Sequence, residues 1–159
     1  MKKLIPLLIV IFSLLSCQKQ QFDLTDFEVH ENSKNNSKQL NLALQSIKKL
    51  CRNGQEIYIS LPKGTYHFYE KGTFLCEYYI SNHDQDNPKR VVFNFDEWEN
   101  LVFDGNGSKF IFHGRLLPFT LKNSKNCKLK NFSIDFENPH IAQVKIVENQ
   151  TEKGNDRSI

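Results

Sequence analysis

Apolar and polar residues alternate in short runs over most of this chain, but in one stretch the apolar residues recur every three or four positions. There Leu40, Ala43, Leu44, Ile47, Leu50 and Cys51 fall on one stripe of an amphipathic helix. Ser37 stands where a helix cap is wanted. Lys48, Lys49 and Arg52 crowd the last turn, where cations complement the helix dipole, and Gly54 offers a left-handed stop. The pattern predicts a helix over 37–54. Residues 17–36 before it are polar and read as a tether and lead-in.

Period-two alternation predicts the strands. Ile57, Ile59 and Leu61 share one face of a strand. Pro62-Lys63-Gly64 is a turn, and Thr65 to Tyr69 is a second strand rich in β-formers. Cys76 to Ile80 and Val91 to Phe95 are further strands, separated by a polar loop, Ser81 to Arg90. Asp96 to Asn100 is a turn that holds Trp98, expected to be partly core.

One alternation returns after 26 residues: Asn100-Leu101-Val102-Phe103 precedes Asn126-Cys127-Lys128-Leu129. Leu101 maps to Cys127, Phe103 to Leu129 and Phe110 to Phe136. Ile111 is replaced by Glu137, so the register or the strand length changes there. The inward set is then Leu101, Phe103, Phe110, Phe112, Phe119, Leu121, Cys127, Leu129, Phe132, Ile134, Phe136, Val144 and Ile146. Three short strands per period are one rung of a coil. The fold class expected is mostly β: the start of a right-handed parallel β-helix, with a capping helix and about two rungs over 55–149, incomplete. A small antiparallel sandwich is the alternative. Residues 150–159 are polar and read as a frayed tail.

The N-terminus changes the picture. Lys2 and Lys3 precede an uncharged run, Leu4 to Leu15, too short for the about 20 residues that span a bilayer. This is the pattern of a secretory signal over 1–16. Leu14-Leu15-Ser16-Cys17 resembles the lipobox of bacterial lipoproteins, which implies lipidation of Cys17 and a membrane-anchored, exported protein on the periplasmic or surface face of an outer membrane. Removing the signal takes Lys2 and Lys3 with it, so the formal charge of +3 drops by two. No basic field remains to argue for nucleic acid. Cys51, Cys76 and Cys127 carry no zinc-site spacing. A Cys51–Cys76 bridge is open in an oxidising compartment, and Cys127 is expected as a small buried hydrophobe. No metal or other cofactor is expected.

The helix followed by Ile57-Tyr58-Ile59-Ser60-Leu61-Pro62-Lys63-Gly64-Thr65-Tyr66 resembles the opening of right-handed parallel β-helix proteins, where such a helix covers the end of the coil. Tyr79 to Gln85 (YISNHDQ), Gly107 to Arg115 (GSKFIFHGR) and Asn131 to Ile146 (NFSIDFENPHIAQVKI) closely resemble the bacterial α-1,3-galactosidases of glycoside hydrolase family 110. The resemblance covers roughly residues 37–149. It implies an exo-acting, inverting hydrolase that removes terminal α-1,3-linked galactose from glycans, including blood-group B type structures. Members are several times longer, with catalytic aspartates on later rungs, so the catalytic residues are expected beyond Ile159. The chain alone is then expected to be inactive. The alternatives are a lipid-anchored, non-catalytic glycan-binding or structural module, and a truncated product that folds poorly.

Within the chain, Asp135 and Glu137 share the outward face of a strand, about 6.6–6.8 Å apart in rise. Inverting hydrolysis wants two carboxyl groups about 6.5–9.5 Å apart, but on opposite sides of the sugar. They are therefore better read as solvated carboxylates or a sugar-binding rim. His140 and Arg115, in loops on successive rungs, can donate to sugar hydroxyls or simply hold turns. His83-Asp84 is a further polar cluster. Asp104-Gly105-Asn106-Gly107 lacks the Lys-Ser/Thr of a phosphate loop and reads as a positive-φ turn.

Overall fold

The computed structural model describes residues 19–51, 54–79 and 87–139. The protein is mostly β, with parallel sheets. β1 (Gln20–Asp23), β2 (Ile57–Ser60) and the first half of β6 (Leu101–His113) lie side by side in parallel, and β8 (Lys128–Phe136) follows β6. β3 (Thr65–Tyr69) runs parallel to the second half of β6. A second sheet pairs β5 (Lys89–Asp96) in parallel with β7 (Leu117–Lys122), while β4 (Phe74–Cys76) lies antiparallel on the other edge of β5. The dominance of parallel pairs removes the antiparallel sandwich.

β6 is bent at Asp104–Ser108, so one strand serves two neighbours, β2 before the bend and β3 after it. The bend also resolves the repeat. Phe103 sits beside Leu129, as the 26-residue period predicts, but past the bend Phe110 sits beside Ile134 rather than Phe136. β8 crosses the bend with two residues fewer, and Phe112 takes Phe136 as its neighbour.

The core is a column of rings. Phe93 stacks on Phe119 at 4.4 Å, Phe119 on Phe132 at 4.9 Å and Phe132 on Phe110 at 5.3 Å, with Phe103 edge-on to Phe93 at 5.3 Å. Offset and edge contacts of this kind add to simple burial. Trp98 is buried edge-on against Phe95. Two members of the expected inward set do not behave so: Leu121 is 48% and Ile134 46% exposed. Both belong to β7 and β8, whose far edges pair with no described strand. Cys127 is half-buried against the core rather than inside it.

α1 spans Ser37–Leu50 and lays Leu40, Ala43, Leu44 and Ile47 against the core. It ends earlier than the pattern predicts, because Cys51 turns extended at φ −69° and ψ 136°. Leu50, expected on the stripe, is exposed, and Cys51 is half-buried. Ser37 is not the cap. Asn36 occupies the cap position, and Ser37 uses its hydroxyl to bond both backbone groups of Tyr69, at 2.7 and 2.9 Å.

The expected tether over 17–36 is largely built structure from Gln20 onward. β1 satisfies the edge of β2, a 3-10 turn covers Leu24–Phe27, and Leu24, Val29 and Asn36 are fully buried. The polar composition conceals this because the polar groups serve the backbone. The Asn36 amide, for example, accepts from the His30 N–H and donates to the His30 carbonyl, both at 3.0 Å. The strand expected over Cys76 to Ile80 is instead Phe74–Cys76. Cys51, Cys76 and Cys127 are free thiols, so the Cys51–Cys76 bridge is not formed. Residues 1–17, His83-Asp84, His140, Val144, Ile146 and the tail 150–159 lie outside the described residues. Among those described, no helix is long and apolar enough to cross a membrane.

Candidate functional site

The outward face of β3, β6 and β8 collects the chemistry. Alternation that buries Phe68 and Phe112 necessarily turns their neighbours outward. His67 on β3, His113 at the end of β6 and Glu137 just past β8 thereby meet on one face of three adjacent strands, where His113 is level with Tyr69 and His67, level with Ile111, reaches it diagonally. Nδ1 of His67 is 2.9 Å from Nε2 of His113, and Nδ1 of His113 is 2.7 Å from Oε2 of Glu137. Tyr69 lies flat on the His113 ring, centroids 4.0 Å apart and planes 1° apart. His113 is consequently buried, while Glu137 stays exposed.

The two candidate carboxylates are therefore not a facing pair. Asp135 ion-pairs with Lys109 at 2.8 Å, and Glu137 holds His113. The Lys109 ammonium holds the Asp135 carboxyl below its usual range. Arg115 sits in the turn after β6, where its N–H donates to Glu70 Oε1 at 2.9 Å. Glu70 also faces Arg90 Nε at 3.6 Å, so one carboxylate ties this turn to the ends of β3 and β5. The structure thus brings Glu137 together with two histidines and leaves Arg115 in a separate turn.

His67 was missed in the sequence, although its alternation with Phe68 already put it on the outer face. Its partner His113 stood in the sequence only as part of the stretch Gly107 to Arg115. What was not visible is that the two-residue contraction at the bend carries Glu137, which the 26-residue period sets beside Ile111, to His113 instead.

A second electrostatic centre stabilises the bend of β6. Asp104, almost wholly buried, accepts from the Tyr58 hydroxyl at 2.7 Å and the Lys130 ammonium at 2.8 Å through Oδ2. Oδ1 takes the Asn106 N–H at 3.0 Å and the Asn131 amide at 2.9 Å. Burial alone would raise this carboxyl, but the four donors outweigh it and hold it well below the usual carboxylate range. Its bond in turn raises the Tyr58 phenol and the Lys130 ammonium. Asn106 and Gly107 hold left-handed φ, as the turn reading required. This centre faces inward to the protein's own donors and is a structural clasp. Among the described residues, no group of three or more His, Cys, Asp and Glu side chains could hold a metal.

An open cleft of about 360 Å³ lies at the end of α1, between Lys48, Cys51, Ile57, Glu97 and Trp98. Its polar residues are strongly exposed, with Lys48 and Glu97 3.9 Å apart.

No family model matches the chain. Curated relatives do. It is 51% identical over 138 residues to alpha-1,3-galactosidase B of Bacteroides fragilis, a match covering 86% of this chain and 23% of that protein. Identity is 53% over 141 residues to alpha-1,3-galactosidase B of Phocaeicola vulgatus, covering 88% and 24%. With alpha-1,3-galactosidase B of Parabacteroides distasonis it is 54% over 112 residues, covering 70% and 18%. The chain spans about a quarter of the length of the curated relatives it matches.

Proposed function

We propose that this chain, homologous to under a quarter of the alpha-1,3-galactosidases it matches, is the opening of a right-handed parallel β-helix in an enzyme of that kind. Its role is to found the coil on which catalytic rungs are built, with α1 covering the first turn. The substrate of the complete assembly is a glycan with terminal α-1,3-linked galactose, hydrolysed with inversion.

The observation that carries this reading is the asymmetry of the match: half of the residues are identical across most of this chain, but across under a quarter of the relative. The site geometry agrees with a supporting role. An inverting pair needs one carboxylic acid and one carboxylate on opposite faces of a sugar. Asp135 and Glu137 instead lie along one face, each engaged by its own partner, Lys109 or His113.

Galactose release from an α-1,3-galactosyl oligosaccharide tests it. The isolated chain should release none under conditions where a full-length relative is active. Release at a comparable rate would overturn the division of labour.

A second reading is a glycan-binding module without catalysis, favoured by the flat aromatic and polar row of Tyr69, His113 and Glu137. Calorimetric titration with the same oligosaccharide separates the two readings, since only the binding module gives heat of association. In both, residues 1–16 direct export and lipidated Cys17 anchors the protein at a membrane. Loss of palmitate incorporation in Cys17→Ala tests that step.

A further inference from the structure

We propose that Glu137, His113 and His67 form a proton-ordered relay across three strands, with a single open acceptor, Nε2 of His67, at its outer end. The order follows from counting donors. An ionised carboxylate only accepts, so the 2.7 Å contact puts a proton on His113 Nδ1. A neutral His113 then has a lone pair on Nε2. The facing nitrogens of the two rings are 2.9 Å apart, a distance that needs one proton between them. That proton belongs to His67 Nδ1, which leaves Nε2 of His67 as the free acceptor.

Tyr69, stacked flat on His113, opposes a ring rotation that would exchange its nitrogens. The other charged groups on this face are already committed. Lys109 and Asp135 pair with each other, and Glu70 at the end of β3 holds the Arg115 N–H and faces Arg90.

The order thus presents one acceptor, Nε2 of His67, at the outer end of the row of bonds. It stands whether or not the galactosidase reading does.

Long-range proton–nitrogen NMR of the full chain with ¹⁵N-labelled histidine tests it. At neutral charge, both rings should carry their proton on Nδ1. A proton on His113 Nε2 would overturn the assignment. In Glu137→Gln the amide can donate as well as accept, so His113 should become a mixture of tautomers. An unchanged tautomer there would show that Glu137 does not set the order. In His67→Phe, His113 should keep its proton on Nδ1, because Glu137 still accepts it there. Since Glu137 is exposed, its variant keeps the proposal testable should His67→Phe fail to fold.

Discussion

The side-chain amide of Asn126 donates to the side-chain oxygen of Asn100 at 2.7 Å, and both residues hold a left-handed φ of 54°. The pair repeats one corner of the chain directly above its predecessor. Beside it the Asn100 N–H bonds the Lys125 carbonyl at 3.0 Å, and the Asn100 carbonyl accepts from Ile57 at 2.9 Å. Asparagine suits such a corner because it tolerates the left-handed region and its amide can both give and take.

Two substitutions at Asn100 separate the backbone from the side-chain contribution. Asn100→Gly loses only the side-chain bond, worth about 1 kcal/mol. Asn100→Ala loses the bond and also places a methyl-bearing residue in the left-handed region, at a further cost of about 1–2 kcal/mol. Urea midpoints should rank wild type above Gly and Gly above Ala. An Ala variant as stable as the Gly variant would show that the corner relaxes away from the left-handed conformation.

Asp104 should make stability pH-dependent on the acid side. Its folded carboxyl sits below its unfolded range, so between the two the unfolded chain binds more protons. The stabilisation is complete above the unfolded value of about 3.9 and is lost as pH falls through the lower, folded one. Asp104→Asn turns an acceptor into a donor facing other donors and should cost about 2–3 kcal/mol at neutral pH. It should also flatten the loss of stability below about pH 4. Asp135, lowered by Lys109, acts with the same sign from an exposed position, so the variant retains some acid sensitivity. Thermal unfolding from pH 2.5 to 7 would show both effects, and an unchanged acid slope in the variant would remove Asp104 as the source.

The sequence made part of this legible. Apolar alternation placed Phe103 beside Leu129 and the matching asparagines at one corner, because local period and stacked repeat agree there. The stripe of α1 was equally plain over Leu40 to Ile47. Two things escaped for physical reasons. Residues 20–36 look polar, yet their side chains satisfy backbone groups, as Asn36 does for His30, and hydropathy does not register that work. The contraction of β8 at the bend is a backbone irregularity without its own composition. It moves every later neighbour by two residues, and so Glu137 rather than Pro139 reaches His113.

The bend of β6 also sets a steric limit at Gly105. A Cβ there would fall 2.7 Å from the Phe132 Cβ and 2.8 Å from the Asn131 carbonyl oxygen. Both belong to β8, which would have to move away. Gly105→Ala should therefore destabilise by about 1–3 kcal/mol, the usual range for overpacking. The Lys130–Asp104 and Asn131–Asp104 contacts lie in the same segment, so the loss should be less than additive with Asp104→Asn. A double-variant cycle by chemical denaturation measures this, and full additivity would mean that β8 does not shift.

The aromatic column should show a steep gradient from its centre to its last strands. Phe93 is fully buried and touches Phe68, Phe95, Phe103, Phe110 and Phe119 with ring separations between 4.4 and 6.4 Å. Its truncation to Ala leaves a hole walled by rings that the flanking strands hold apart, so the cost should reach about 3–5 kcal/mol. Leu121, two residues beyond Phe119 on β7, is 48% exposed, and Leu121→Ala should stay within about 0.5 kcal/mol of wild type. Equilibrium unfolding of the two variants in urea gives the comparison. Should Leu121→Ala cost as much as Phe93→Ala, the face it occupies would have to be covered in solution, and the half-exposed edge of β7 and β8 would be buried against further protein.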